Sequence, residues 1–382
     1  MQIAGQPKPL WTNADFLEQF QRVDFAELAK SIQTKTRDEV EAALGKTSRD
    51  LEDFKALLSP AAAPFLEEMA KLARSATQRR FGNCVSLYIP LYLSNECLNA
   101  CVYCGFRKEN KFPRKTLTQA EVEAEIAVIK QGGFEHLLLV TGDLSRKRGL
   151  AYLRQALDWV RPHFAQLSLE VQPMETEDYA ALMAQGLNGV MLYQETYGPR
   201  YRDFHLAGSK KDMAYRLQGP DRLGRAGIHR IGLGVLLGLE DWRADSWMLA
   251  LHLAHLKRHY WQTKYSISFP RLRPAQGALE PPHPVGDREL AQLICAYRLW
   301  DENLDLSLST RESPAFRDGV ARLGITNMSA GSKTEPGGYA QGGQELEQFA
   351  VHDNRSPQAV AQALAGLGLE AVFKDWEPYY NG

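Results

Sequence analysis

The chain has 382 residues, 44% of them hydrophobic and 24% charged, with a formal net charge of −1. That is the balance of a globular protein with ample material for a large core. There is no basic excess to suggest nucleic acid as a partner, and no apolar run approaches the ~18 residues that would make a membrane one.

The first seven residues, Met1 to Pro7, lack the charged start and apolar core of a signal peptide. Five cysteines without an export signal point to a reducing cytoplasm. Cys84 and Cys295 stand among apolar neighbours and are expected to be buried core thiols. Residues 1–80 predict a polar, helical N-terminal extension. The stretch Asp38 to Leu57 carries apolar residues at helical spacing, and Pro60 and Pro64 punctuate the chain after it.

From Val85 short β-rich runs alternate with amphipathic stretches. Strands are predicted at Ser86–Leu93, His136–Val140, Leu167–Val171, Gly189–Tyr193, Arg230–Leu236, Tyr265–Phe269, Asp305–Leu308 and Gly324–Met328. Helices are predicted between them, as at Thr118–Gln131, Leu150–Val160, Asp245–His259 and Asp287–Trp300. Eight β/α repeats predict an α/β fold of the (β/α)8 TIM-barrel type over 81–332. An open doubly wound sheet is the alternative, but it seldom repeats the unit eight times, and no glycine-rich dinucleotide fingerprint follows the first strand. Nearly every strand ends in polar residues or glycine, which a barrel would gather at one mouth. Residues 333–382 predict a capping segment over the barrel. It is glycine-rich from Pro336 to Gly343, then helical with Ser356 as N-cap and Pro357 at the first helical position, then a strand at Glu370–Phe373.

The sharpest feature comes after the first strand: Cys97-Leu-Asn-Ala-Cys101-Val-Tyr-Cys104-Gly105. Three thiolates on one loop can hold three irons of a four-iron, four-sulfur cluster and leave the fourth open for chemistry, whereas a purely electron-carrying cluster normally has four cysteines. A structural zinc site, in a non-catalytic scaffold, would need a fourth ligand that the neighbouring sequence does not offer. The C-x3-C-x2-C spacing, with an aromatic before the last cysteine, resembles the signature of radical S-adenosylmethionine (SAM) enzymes. That resemblance implies a [4Fe–4S] cluster on Cys97, Cys101 and Cys104, with SAM chelating the open iron and being cleaved by one electron to methionine and a 5'-deoxyadenosyl radical.

Longer blocks narrow the family. They include Pro90-Leu-Tyr-Leu-Ser-Asn95, Leu169-Glu-Val-Gln-Pro-Met174, Tyr193-Gln-Glu-Thr-Tyr197, Ile231-Gly-Leu-Gly-Val-Leu-Leu-Gly238, Tyr265-Ser-Ile-Ser-Phe-Pro-Arg-Leu-Arg-Pro274, Leu306-Ser-Leu-Ser-Thr-Arg-Glu-Ser313 and Ser329-Ala-Gly-Ser-Lys-Thr-Glu-Pro-Gly-Gly-Tyr339. From about Phe81 to Trp376 the chain resembles the radical SAM tyrosine lyases (2-iminoacetate synthases) of thiamine thiazole biosynthesis. The resemblance implies cleavage of the Cα–Cβ bond of L-tyrosine to 2-iminoacetate and p-cresol. It also implies thiazole synthase as a partner and a flavodoxin or ferredoxin as electron donor. For SAM it implies Tyr103 near the adenine and Gly142-Asp143 at the ammonium group, where the superfamily has Gly-Glu. Glu170 and Glu195 fall at strand ends suited to ribose or ammonium groups. Arg216 is the candidate for the SAM carboxylate, a surface helix arginine being its alternative. Gly232 and Gly234 either let the adenine lie against backbone or serve packing. For tyrosine, Arg311 is the candidate carboxylate clamp, or else a salt-bridge partner of Glu312 or Glu195, with Ser329 or Ser332 adding a hydrogen bond and Tyr92 reaching the amine. A tryptophan lyase and the tyrosine lyase of hydrogenase maturation share the barrel. The latter carries further cysteines near its C-terminus, and here none follows Cys295.

Overall fold

The computed structural model describes residues 16–342 and 347–374; Met1–Pro7, Gly343 and Trp376 lie outside them. Eight strands, β1 (Cys84–Ser94), β2 (His136–Thr141), β3 (Gln166–Glu170), β4 (Gly189–Met191), β5 (Arg230–Gly234), β6 (Lys264–Ser268), β7 (Asp305–Leu308) and β8 (Asn327–Ser329), run parallel in chain order. β1 pairs with both β2 and β8, which closes them into a barrel. The strands are β-branched and leucine-rich on their outward face and carry polar or aromatic residues inward, as in Tyr88, Ser268 and Ser307. An ordinary (β/α)8 lumen is filled with branched aliphatics; this one is built to remain partly open.

Before the barrel come α1 (Phe16–Gln21), α2 (Phe25–Gln33), α3 (Arg37–Gly45), α4 (Leu51–Leu58) and α5 (Leu66–Phe81). Around it lie α6 (Gln119–Gln131), α7 (Arg146–Val160), α8 (Thr176–Met183), the short α9 (Tyr201–Phe204) and α10 (Met213–Leu217), then α11 (Gly219–Ala226), α12 (Trp242–His259), α13 (Asp287–Trp300) and α14 (Pro314–Val320). The helix starts have local causes. Thr118 and Glu121 satisfy each other's backbone N–H groups in a capping box at α6, and Asp241 accepts from Arg243 N and Ala244 N at α12.

Two expectations change, and the helical spacing of Asp38–Leu57 resolves into α3 and α4, because Asp50 accepts from Glu52 N and Asp53 N and starts α4 afresh. Cys84 is exposed, since it is the first residue of β1 at the lower rim of the barrel; Cys295 is buried as expected. The C-terminal segment does not act as one cap. Residues 332–342 and 347–353 reach the mouth, where Gly105 N donates to the Gln348 carbonyl. The remainder, α15 (Pro357–Gly366) and β9 (Glu370–Val372), returns to the opposite end, where β9 pairs with Cys84–Ser86 of β1.

Candidate active site

The cysteine loop is fastened on both sides by backbone hydrogen bonds. Leu98 N donates to Asp143 O at 2.9 Å, and Ala100 exchanges bonds with Leu206 and Ala207. This brings Cys97, Cys101 and Cys104 to one cavity with Tyr103, Gly142, Asp143, Glu170, Glu195 and Arg216. Its empty volume, open mouth included, is about 870 Å³. A Cβ at Gly142 would collide with the Glu96 carbonyl oxygen and stand 2.9 Å from Cys97 Cβ, so only glycine lets β2 end this close to the loop. Burial pushes the Cys97 thiol up to about 12 and raises Cys101 and Cys104 as well. Such thiols ionise when a cation takes them as ligands. Donors already face two of the sulfurs: Asn99 N at 3.5 Å from Cys97 Sγ and Gln348 Nε2 at 3.9 Å from Cys104 Sγ. Among the described residues no three His, Cys, Asp or Glu side chains are gathered to hold a single metal ion. The three thiols gathered on one cavity wall fit three irons of a four-iron cluster.

The cavity wall is ionic. Lys210 forms an ion pair with Glu195, and Arg216 stands 4.0 Å from the same carboxylate. Burial alone would raise the Glu195 carboxyl, but Lys210 and Arg216 hold it below its usual range. Glu195 is the one non-glycine residue of positive φ (72°) among those described. Backbone strain of this kind collects at functional sites. Arg216 is not a surface residue: it is buried and donates Nε and Nη2 to the Tyr193 carbonyl. Asp143 Oδ2 accepts from Asn99 Nδ2 at 2.6 Å and Ser209 Oγ at 3.3 Å. Burial pushes His205 down to about 3, so it is neutral; its Nδ1–H serves the Tyr201 carbonyl and its Nε2 accepts from Tyr103 O–H at 2.7 Å.

A second chamber adjoins the first, and Glu170, Tyr193, Arg311 and Phe349 line both. Burial pushes Glu170 up to about 7, against the pull of Arg311. Neither salt-bridge alternative for Arg311 forms. Glu312 is held by Arg271 and Arg273, and Glu195 by Lys210. The Arg311 guanidinium instead lies 3.3 Å from the centroid of the Phe349 ring. Ser329 Oγ accepts from Thr310 N at 3.1 Å, whereas Ser332 Oγ is buried without a partner among the described residues. Tyr92 O–H donates to Gln348 Oε1 at 2.7 Å. Tyr92, Arg311, Ser329 and Ser332 all line the second chamber, and Gln348 lines the first.

Gly232 and Gly234 are set apart: neither lines a described cavity. A Cβ on Gly232 would strike Met191 Sδ, and one on Gly234 would come within 2.9 Å of the Tyr193 ring. Their role is to let those two side chains cross the lumen. Sequence reading missed Asn99, Lys210, Gln348 and Phe349, which arrive from loops and from the tail. The one local trace was Lys210 in a short charged loop after Gly208, whose φ is +88°.

Two family models match: the Radical SAM superfamily over residues 91–251 and the Biotin and Thiamin Synthesis associated domain over 268–370. The 2-iminoacetate synthase of Escherichia coli (strain K12) is 52% identical over 366 residues, 95% of this chain and 97% of its own. That of Salmonella typhimurium is 50% identical over the same shares. Among solved structures, a crystal structure of HydG, a maturase of the [FeFe]-hydrogenase, superposes with a TM-score of 0.82 at 31% identity, covering 94% of this chain and 78% of that one. Methylornithine synthase, at 19% identity and a TM-score of 0.68, shares the fold.

Proposed function

Because the chain belongs to the 2-iminoacetate synthase family of radical SAM enzymes, we propose that it carries out that family's reaction at the two joined chambers. The protein cleaves the Cα–Cβ bond of L-tyrosine, giving 2-iminoacetate and p-cresol. When bound, a [4Fe–4S] cluster and SAM supply one-electron reductive cleavage of SAM to methionine and a 5'-deoxyadenosyl radical, the electron coming from an external reductant. The observation that carries this reading is the chambers themselves: one has three thiols, and the next has an arginine that makes no ion pair with a described carboxylate.

Cys97, Cys101 and Cys104 hold the irons. Asp143, with Asn99 and Ser209 orienting its carboxylate, takes the SAM ammonium group through an intervening water where the shorter side chain falls short. Arg216 takes the SAM carboxylate, while Glu195, fixed by Lys210, accepts from the ribose hydroxyls. Tyr103, held by His205, flanks the adenine. Arg311 clamps the tyrosine carboxylate in the second chamber, Ser329 and Ser332 add hydrogen bonds, and Tyr92 reaches the amine. Glu170 stands where the chambers meet, so substrate and radical source share one wall. Gln348 and Phe349 line the mouth and narrow the access of water, which a primary radical must be kept from. The 2-iminoacetate passes to thiazole synthase, flavodoxin or ferredoxin supplies the electrons, and the setting is the cytoplasm. No described helix is long and apolar enough to cross a membrane.

The test is anaerobic turnover. Protein reconstituted with iron and sulfide is mixed with SAM, a strong reductant and L-tyrosine, with L-tryptophan in parallel, and products are read by mass spectrometry. Tyrosine-dependent p-cresol, deoxyadenosine and glyoxylate from hydrolysed 2-iminoacetate are expected. Deoxyadenosine without p-cresol would refute the substrate.

A further inference from the structure

Below Arg311 the lumen carries a patch of hydroxyl groups that neither SAM nor the substrate's amino and carboxylate groups account for. Tyr193 O–H donates to Ser268 Oγ at 3.1 Å, and Tyr88 OH lies 3.4 Å from Ser307 Oγ. Strand register places them together, since Ser268 lies beside Ser307 and Ser307 beside Asn327. All four residues line the second chamber and the smaller cavity beneath it. Between them and Arg311, Leu138, Val140 and Phe269 form an apolar stretch on a wall that Glu170, Ser329 and Ser332 also line. Ser307 precedes Arg311 by four residues, at most about 13 Å at ~3.3 Å per residue. The chamber thus has a cation at its upper end, an apolar stretch along its side, and the Ser268 and Ser307 hydroxyls at its lower end.

We infer that Ser268 and Ser307, together with Tyr88 and Tyr193, form the subsite that recognises the phenol hydroxyl of the substrate. This rests on tyrosine being the substrate. A phenol O–H both donates and accepts, and each serine hydroxyl does the same with capacity left after its present bond. An indole N–H only donates, and phenylalanine offers nothing, which leaves the buried hydroxyls without the partner the site is shaped for. Sites built to hydrogen-bond a substrate hydroxyl reject the analogue that lacks it far more strongly than apolar pockets reject an extra carbon. Burial also raises the Tyr88 and Tyr193 phenols, which keeps them protonated as donors. Met191 and Tyr193, lying across the space that Gly232 and Gly234 leave, limit the depth of the slot.

The experiment compares the wild-type holoenzyme with a Ser268→Ala/Ser307→Ala double variant and with Tyr88→Phe. Two quantities are read: KM for L-tyrosine from p-cresol, and the inhibition constant of L-phenylalanine against it. In the double variant KM is expected to rise roughly ten- to hundredfold, while the phenylalanine constant stays put or falls, so the preference for tyrosine collapses. Tyr88→Phe, which removes a single oxygen, is expected to move the ratio the same way by a few-fold, and it keeps the test open if the double variant does not load its cluster. A tyrosine-to-phenylalanine ratio within about twofold of wild type in the loaded variants would overturn the inference. A wild-type protein that makes no p-cresol would instead bring down the tyrosine reading itself.

Discussion

Arg311 lies flat on Phe349 without an ion pair to any described carboxylate, whereas Arg271, Arg273, Arg317 and Arg355 nearby are all paired with carboxylates. An arginine kept free on a cavity wall is available to an anion from outside, and a bidentate fork suits a carboxylate. Arg311→Ala is therefore expected to raise KM for tyrosine by about a hundredfold or more, with deoxyadenosine still formed at a rate uncoupled from p-cresol. Arg311→Lys keeps the charge but not the fork and should recover only part of the loss. Unchanged p-cresol yield in Arg311→Ala would remove the clamp assignment. Glu170 makes a different prediction. Its carboxyl, at about 7 in the fold against 4.5 ordinarily, takes up a proton on folding at intermediate pH. Its effect on stability is therefore absent below about 4.5, grows as pH rises, and is a full penalty above 7. Glu170→Gln removes the ionisation. Without SAM, the variant should melt close to wild type at pH 4.5 and above it by several degrees at pH 8. An equal offset at both pH values, by calorimetry, would show that burial of the charge is not what sets this group.

At the scale of elements, the segment that closes the mouth is held by one buried ionic knot. Asp353 pairs with Arg317, both side chains fully buried, and Arg355 bridges Asp353 and Asp318. The same turn donates His352 N and Asp353 N to the Thr310 carbonyl, next to Arg311. Asp353→Asn leaves the Arg317 guanidinium buried without its counter-charge, a loss of roughly 3–5 kcal/mol. It should lower the melting temperature and, by loosening Phe349 from Arg311, raise KM for tyrosine. Asp318→Asn, whose partner is partly exposed, should change stability by under about 1 kcal/mol and serves as the control. These linkages explain which site residues were legible in the sequence and which were not. The cysteines, Gly142, Asp143, Glu195 and Arg311 come after strands in chain order and Glu170 ends one, so the barrel reading alone carries them to the mouth. Gln348 and Phe349 belong to no periodic element. They reach the site through Gly105 N to Gln348 O and Gln348 N to Thr334 O, backbone bonds that leave no trace in side-chain patterning. Lys210 is carried in likewise by a loop whose Lys210 N is fixed on Asn99 Oδ1.

Across the whole molecule, the N-terminal helices are part of the barrel's outer layer rather than an appendage. Most of α12 is buried, including Trp242 and Trp247, because the barrel covers one side and the extension another. A helix buried on most sides, with Asp245, Ser246, His252 and His255 among its buried residues, no longer sorts apolar from polar side chains at a 3.6-residue period. Its predicted start therefore fell three residues late, and its residues alone did not mark the face that the extension covers. The contact is also polar in a directed way. Gln292 Nε2 donates to the Leu57 and Ser59 carbonyls, Trp247 Nε1 to Leu51 O, and Arg243 Nε to Leu58 O, so side chains of α12 and α13 bind the backbone along α4 and supply donors to the Leu57 and Leu58 carbonyls of its last turn. Removing residues 1–58 would expose the apolar flanks of both helices and leave Trp247 Nε1 and Arg243 Nε without their acceptors. Exposed patches of that size favour association. The truncated chain is expected to lose its cooperative thermal transition, bind a hydrophobic dye and aggregate, even though all three cysteines and every strand remain. A truncated protein that melts cooperatively, stays monodisperse by light scattering and loads about four irons would show that the barrel stands alone and the extension is dispensable to it.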